Sequence, residues 1–379
     1  MTTPLALYIH WPFCLSKCPY CDFNSHEAGL IDQGGWRRAY LNRLNDLAER
    51  TEGRVVETVF FGGGTPSLME AGTVAALLNQ VHRLWPVAPN LEVTLEANPT
   101  TAEGGKFSDF ASAGVNRLSI GVQSLDDQAL KFLGRAHNAN EASNAIRLAA
   151  KTFERFSFDL IYALPGQGQA DWADQMAKAL TFEPEHLSVY QLTVEPGTGF
   201  HKTKVAEVEE DLGAKLYDQT QESLSSAGLP AYEISNHARA GGECRHNLIY
   251  WNGGDYLGIG PGAHGRITLD GTVHATQEIP NPTSWLKAMR SEAGPEVRCQ
   301  ALSAEERAEE LLMMGLRTIW GVDAKSFETK TGLSLAERLS PTGLETLQAE
   351  NLITWDGQIL KTTNQGRPLL NGILAALID

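Results

Sequence analysis

Cysteine and methionine are scarce in this chain, positive charge is in short supply, and no long apolar run occurs. There are five cysteines and six methionines in 379 residues. No stretch approaches the ~18 apolar residues needed to span a bilayer. The N-terminus MTTPLALYIHWPFC has no basic segment, and His10 and Pro12 break its apolar run, so no secretory leader is predicted. Against 46 Asp and Glu stand only 31 Lys and Arg, a formal net charge of −15. Tracking a phosphate backbone needs clustered Lys and Arg, so nucleic acid is not an expected partner despite the pair Arg37 and Arg38. The acidity reads as solubility. The expected compartment is the reducing cytoplasm, where clustered cysteines act as metal ligands rather than disulfides.

A strand–helix rhythm fills the first two-thirds. Short β-branched and aromatic runs at Leu5–Trp11, Thr58–Phe61, Leu91–Glu96, Arg117–Val122, Ser157–Tyr162 and His186–Leu192 alternate with helical periodicity at Trp36–Arg50, Met69–Leu84, Asn140–Thr152 and Asp171–Leu180. Alternation of this kind predicts a parallel sheet with right-handed crossovers. Six units are too few for a closed eight-stranded barrel, leaving an open three-quarter barrel or a doubly wound sheet. Val208–Ala227 reads as a long amphipathic helix, and Gly241–Gly265 as an irregular, Gly-rich loop. Beyond it, Ser303 and Glu306 form a capping box ahead of an apolar helix. Leu344 to Asp379 reads as helix, hairpin at Asp356-Gly357, then helix, the outline of a winged helix used for packing.

Three of the five cysteines, Cys14, Cys18 and Cys21, lie within eight residues just after the first strand. Three thiolates from one loop can hold three irons of a 4Fe–4S cube and leave the fourth open. The alternative is zinc, held with His10 or His26 as the fourth ligand. Other unusual residues follow the strands in the same way: Gly62–Thr65 after the second, Glu96 at the end of the third, Gln123 after the fourth. In parallel α/β architectures that rim is where active sites are built.

The run Tyr8-Ile-His-Trp-Pro-Phe-Cys-Leu-Ser-Lys-Cys-Pro-Tyr-Cys-Asp-Phe23 resembles the opening of the radical SAM family. Within that family the chain is similar to oxygen-independent coproporphyrinogen III oxidase and its haem-chaperone relatives. The resemblance implies an α/β fold, a partial (βα)6 radical SAM barrel over residues 1–240, and a C-terminal, mostly helical, winged-helix-like domain over 241–379. It implies a 4Fe–4S cluster on Cys14, Cys18 and Cys21, and S-adenosylmethionine bound by Tyr8, Gly63, Gly64, Thr65, Glu96, Gln123, Arg135 and Asp159. The expected physical sense of the glycines is close backbone approach to the cofactor.

Two departures point away from the oxidase. Its fourth cysteine, two residues after the third, is Phe23 here, and only seven residues precede Tyr8 where the oxidase has a long segment. His246-Asn-Leu-Ile-Tyr250-Trp251 instead matches the HNxxYW motif of the haem chaperones. Through it the resemblance implies haem b as cargo, ligated by His246 and stacked on Tyr250 and Trp251. Implied with it are apo-haemoprotein recipients, a homodimer, an unidentified electron donor, and a cytoplasmic place peripheral to the inner membrane. Cys244 is a second candidate iron ligand. Radical decarboxylation of coproporphyrinogen III remains the alternative activity.

Overall fold

The six short runs become six parallel strands in the computed structural model, which describes residues 4–27, 29–100, 105–291 and 297–378. They are β1 (Pro4–Trp11), β2 (Val55–Gly63), β3 (Val87–Ala97), β4 (Arg117–Gln123), β5 (Arg155–Tyr162) and β6 (His186–Gln191). Each pairs in parallel with the next in chain order. Helices α1 (Gln33–Ala48), α2 (Ala71–Leu84), α3 (Ala139–Thr152) and α4 (Gln169–Leu180) cross between strands, followed by α5 (Glu210–Ser226). Their apolar stripes, such as Val74, Leu77, Leu78 and Val81 on α2, pack on one face of the sheet.

Side chains alternate between sheet faces, and here the two sets differ sharply. Leu7, Ile9, Val59, Phe61, Val93, Leu95, Leu118 and Ile120 join the core shared with the helices. The alternate set contains Tyr8, Thr58, Glu92, Glu96, Arg117, Ser119, Ser157, Asp159, His186 and Ser188. The concave face is therefore polar and ionisable along its height, which suits a binding barrel rather than a packed apolar one.

The stretch expected to be a loop holds a short helix and a strand. Helix α6 (Arg245–Trp251) is followed by β8 (Tyr256–Ile259), which pairs in parallel with β1 on its free side. Seven and four residues are too short to display a period, so the sequence pattern there looked irregular. β7 (Asn236–Ala238) pairs with β6, while β9 (His264–Leu269), β10 (Thr272–Gln277) and β11 (Arg298–Ala301) continue antiparallel from β8. Among the described residues this makes one eleven-stranded sheet. The expected division at residue 240 falls inside that sheet, and we propose that it lies after Ala301.

From there the chain builds a separate apolar cluster, from Ala308 to Leu377. α7 (Ala304–Gly315) opens with the expected capping box of Ser303 and Glu306. β12 (Val322–Asp323), β13 (Ile353–Trp355) and β14 (Ile359–Thr362) form a small antiparallel sheet, beside helices Pro341–Ala349 and Leu370–Leu377. The winged-helix outline is present; Asp379, the last residue of the expected segment, lies outside the described residues.

Candidate cluster and cofactor site

After Trp11 the chain turns across the carboxyl-end rim of the sheet. Phe13–Cys14 pair with His26–Glu27 in a two-residue bridge that closes the base of the cysteine loop. Cys14, Cys18 and Cys21 are all half-buried free thiols on one cavity of about 390 Å³. Gly63, Gly64, Thr65, Glu96, Gln123, Arg135 and Asp159 line the same cavity. Ten of the expected site residues thus converge at the ends of five strands.

Each sulfur has a polar neighbour. Thr65 Oγ1 donates to Cys14 Sγ at 3.5 Å, Arg135 Nη1 donates to Cys18 Sγ at 3.2 Å, and Ser25 Oγ lies 3.6 Å from Cys21 Sγ. Burial pushes the Cys14 thiol pKa up, and the Thr65 hydroxyl opposes that. Arg135 also donates from Nη2 to Asn98 Oδ1 at 2.6 Å and to the Gly121 carbonyl at 2.8 Å. Burial works against its charge, but Tyr20 and Cys18 hold its pKa above the ordinary value.

Two carboxyl groups face each other across the cavity floor. Burial, then the neighbouring Asp159, raises Glu96 to about 8, although the Gly63 amide donates to its Oε2 at 3.2 Å. Burial raises Asp159 to about 6, with Ser188, Arg117 and Arg135 opposing. A cation entering between them would favour their ionised forms and oppose the effect of burial on both. Gln123 has φ of 71°, an uncommon left-handed conformation for a side chain of this size. It sits where the β4–β5 register shifts, which turns the strand end toward the cavity.

Gly63 and Gly64 line the cavity and are also crowded from the side of the cysteine loop and β1. A Cβ on Gly64 would lie 2.7 Å from the Phe13 carbonyl oxygen, and one on Gly63 2.6 Å from the His10 ring. The glycines first make room for the cysteine loop itself. The Gly64 and Thr65 amides donate to the carbonyls of Trp11 and Phe13, at 2.7 and 2.8 Å.

Tyr8 is not brought to the cavity wall. Its hydroxyl lies 3.1 Å from His10 Nδ1, and its ring stacks on Phe60 inside the barrel. Nor does the HNxxYW motif join the cavity. Glu92, at the middle of β3, accepts from the amides of Arg245 and His246, and Thr58, in the amino-end half of β2, meets the His246 ring, so α6 caps the other end of the barrel. His246 is buried, and both ring nitrogens are engaged: Nδ1 with Thr58 Oγ1 and Nε2 with the Tyr250 hydroxyl, each at 2.7 Å. Burial lowers its pKa to about 3, so the ring is neutral. The Tyr250 ring lies 4.2 Å from that of Tyr256, tilted by 53°, and the Arg317 guanidinium lies 4.7 Å from the centre of the Trp251 ring. Cys244 is buried, its thiol raised to about 11 chiefly by that burial, and directed at Glu92.

Sequence reading missed Asn98, Tyr20 and Ser25, all cavity residues. Asn98 stands two residues beyond Glu96, and the alternation of strand faces was the signal that could have found it. The donor set fits a three-thiolate cluster with a zwitterionic, cationic cofactor beside it. The histidines of the zinc alternative are engaged elsewhere: His10 Nε2 with the Asn24 carbonyl and His26 Nε2 with Asn24 Oδ1, both at 3.0 Å. Among the described residues no three His, Cys, Asp or Glu side chains are gathered closely enough to hold one metal ion.

Residues 8–178 match the Radical SAM superfamily and residues 302–369 the HemN C-terminal domain. The chain is 38% identical to heme chaperone HemW of Escherichia coli strain K12, over 98% of this chain and 97% of that one. The chain belongs to the HemW group of the radical SAM superfamily. A second heme chaperone HemW, from Haemophilus influenzae, is 36% identical over 98% of this chain and 97% of its own length. The mouse radical S-adenosyl methionine domain-containing protein 1, mitochondrial, is 39% identical over all of this chain and 88% of that protein. The solved coproporphyrinogen III oxidase HemN of Escherichia coli superposes with a TM-score of 0.83 over 99% of this chain and 90% of that one, at 20% identity. That match shows a shared fold. Membership of the HemW group accounts for the barrel, the cysteine loop and the winged C-terminal unit together.

Proposed function

We propose that this chain is a haem chaperone: it binds haem b, passes it to apo-haemoproteins, and carries a 4Fe–4S cluster with S-adenosylmethionine. The observation that carries the reading is near-full-length similarity to proteins named as heme chaperones, at 38% identity. Cys14, Cys18 and Cys21 hold the cluster. When bound, it supplies an open iron for the amino and carboxylate groups of S-adenosylmethionine and a source of electrons. Arg135 offsets the cofactor carboxylate, Glu96 and Asp159 accept from its amino and hydroxyl groups, and the Gly63–Thr65 backbone shapes the wall.

Haem ligation by His246 requires α6 to move, because neither ring nitrogen has a free lone pair or proton in the closed arrangement. The proposed cargo step therefore includes release of His246 from Thr58 and Tyr250. The same reading has the chain work in the cytoplasm as a homodimer, against the inner face of the membrane. No helix among the described residues is long and apolar enough to cross a membrane.

The second reading is oxidative decarboxylation of coproporphyrinogen III, favoured by the fold shared with HemN. Phe23 at the position of the oxidase cysteine speaks against it. Haem titration of wild type and His246→Ala tests the cargo site: the variant is expected to bind more weakly, and equal binding removes His246.

A further inference from the structure

The glycine-rich stretch Gly258-Ile-Gly-Pro-Gly262 lies outside both matched regions, and the proposed function gives it no role. Its turn sits directly under the cysteine loop. Asn24, three residues after Cys21, donates from Nδ2 to the carbonyls of Pro261 and Pro280, each at 2.9 Å. Its Oδ1 lies 3.0 Å from His26 Nε2, and its main-chain carbonyl 3.0 Å from His10 Nε2. One residue thereby ties the loop to β1 through its main chain and, through its side chain, to two segments more than 230 residues away.

The receiving turn is shaped around that side chain. Gly260 and Gly262 have φ of 111° and 74°. A Cβ on Gly262 would stand 2.4 Å from Asn24 Nδ2, and one on Gly260 2.4 Å from the His10 carbonyl. The loop has other ties: the Phe200 amide donates to the Pro19 carbonyl at 2.8 Å, Arg135 Nη1 reaches Cys18 Sγ at 3.2 Å, and within the loop Lys17 Nζ donates to the carbonyls of Phe23 and Ser25, both at 3.3 Å. Leu15 and Phe23 are 67% and 60% exposed, while Phe13 and Tyr20 pack against apolar neighbours of the barrel. Regular pairing is limited to the two-residue bridge, beside which the His26 amide donates to the Pro12 carbonyl at 2.7 Å.

We infer that Asn24 and the Gly260–Gly262 turn form a clamp that positions the three thiolates, making Asn24 a positioning residue for the cluster. The inference rests on reading Cys14, Cys18 and Cys21 as cluster ligands. Losing the amide donors leaves two carbonyls unpaired and frees the loop end nearest Cys21. The barrel core does not depend on this contact, so folding and cluster retention separate.

Asn24→Asp keeps the shape and replaces the donors with an oxygen facing two carbonyls; Gly262→Ala displaces the side chain from the other direction. Two measurements suffice. The first is amide hydrogen exchange over residues 13–27 in the cluster-free full chain. The second is the rate at which a chelator strips iron from the anaerobically reconstituted protein, followed by absorbance and electron paramagnetic resonance. Exchange in the loop and iron loss are each expected to rise about tenfold, with Tm within a few degrees of wild type. Wild-type rates in both measurements overturn the clamp. So does a general loss of protection across the barrel, which would make Asn24 an ordinary stabiliser. If the wild-type chain assembles no cluster, the cluster reading fails, and the exchange comparison still decides whether Asn24 holds the loop.

Discussion

Arg135 reaches the sulfur of Cys18, with Nη1 3.2 Å from Sγ, while Nη2 is fixed on Asn98 and the Gly121 carbonyl. The fork joins the cysteine loop to the ends of β3 and β4. A lysine keeps the charge but cannot make both ends of the bridge.

Arg135→Lys is therefore expected to weaken S-adenosylmethionine binding about ten- to a hundredfold, while Arg135→Met also lowers the cluster reduction potential by removing a positive charge. Equilibrium binding and a redox titration followed by electron paramagnetic resonance check the two effects. Unchanged affinity in both variants would remove Arg135 from the cofactor site.

The pH dependence of the cofactor-free protein carries the signature of Glu96. Its folded pKa is about 8 against an ordinary 4.5, so between those values the folded state holds a proton that the unfolded chain has lost. Stability contributed by that proton is complete below about pH 4.5 and declines as pH rises through about 8. Glu96→Gln is expected to gain about 1–2 kcal/mol over wild type at pH 8 and nothing at pH 4.5, a figure reduced for the water that enters the cavity. Denaturant unfolding at both values measures it.

The amino-end plug offers an opposite pair of substitutions. Glu92 is buried, pairs with Arg155 at 2.6 Å, and accepts from the His246 amide. Burial tends to raise its pKa, but Arg117, Arg155, the His246 amide and Arg245 together hold it below the ordinary value. Glu92→Gln is expected to cost about 2–4 kcal/mol, because it leaves several buried cationic groups underpaired. Thr58→Val only frees His246 Nδ1. If α6 must open for haem to bind, this change tightens apparent haem affinity by about fivefold. Spectroscopic titration distinguishes that result from an indifferent one.

Gly64 sits where the cysteine loop passes closest to β2. Gly64→Ala would bring a carbon to 2.7 Å from the Phe13 carbonyl oxygen. The loop must shift, and the expected outcome is about 1–3 kcal/mol of destabilisation together with loss of iron on reconstitution. Thermal unfolding and iron content check both.

Much of this was legible in the chain because its main signals are local. The six parallel strands announced themselves as short runs of β-branched and aromatic residues, and the three cysteines as a spacing within one loop. The rest depends on contacts across long separations. β8 is four residues long and gains its place by pairing with β1 on one side and β9 on the other. Asn24 meets partners at Pro261 and Pro280, and His246 turns into the barrel because Thr58 and Glu92 are there to receive it. Tyr8, expected at the cofactor, points inward from β1 with its hydroxyl on His10 and is not among the residues lining the cavity. Gly63 and Gly64 line the cavity, but the closeness of Gly64 to the passing cysteine loop was visible only once β1 and β2 were adjacent.

As proposed above, the radical SAM cofactor site serves haem carriage rather than porphyrin decarboxylation. The most direct test of that proposal is one anaerobic incubation of the reconstituted protein with S-adenosylmethionine, a reductant and coproporphyrinogen III, beside a parallel incubation with haem and an apo-haemoprotein. The expected result is haem transfer to the apo-protein with no vinyl product. Vinyl product formed catalytically, with no transfer of haem, would contradict it.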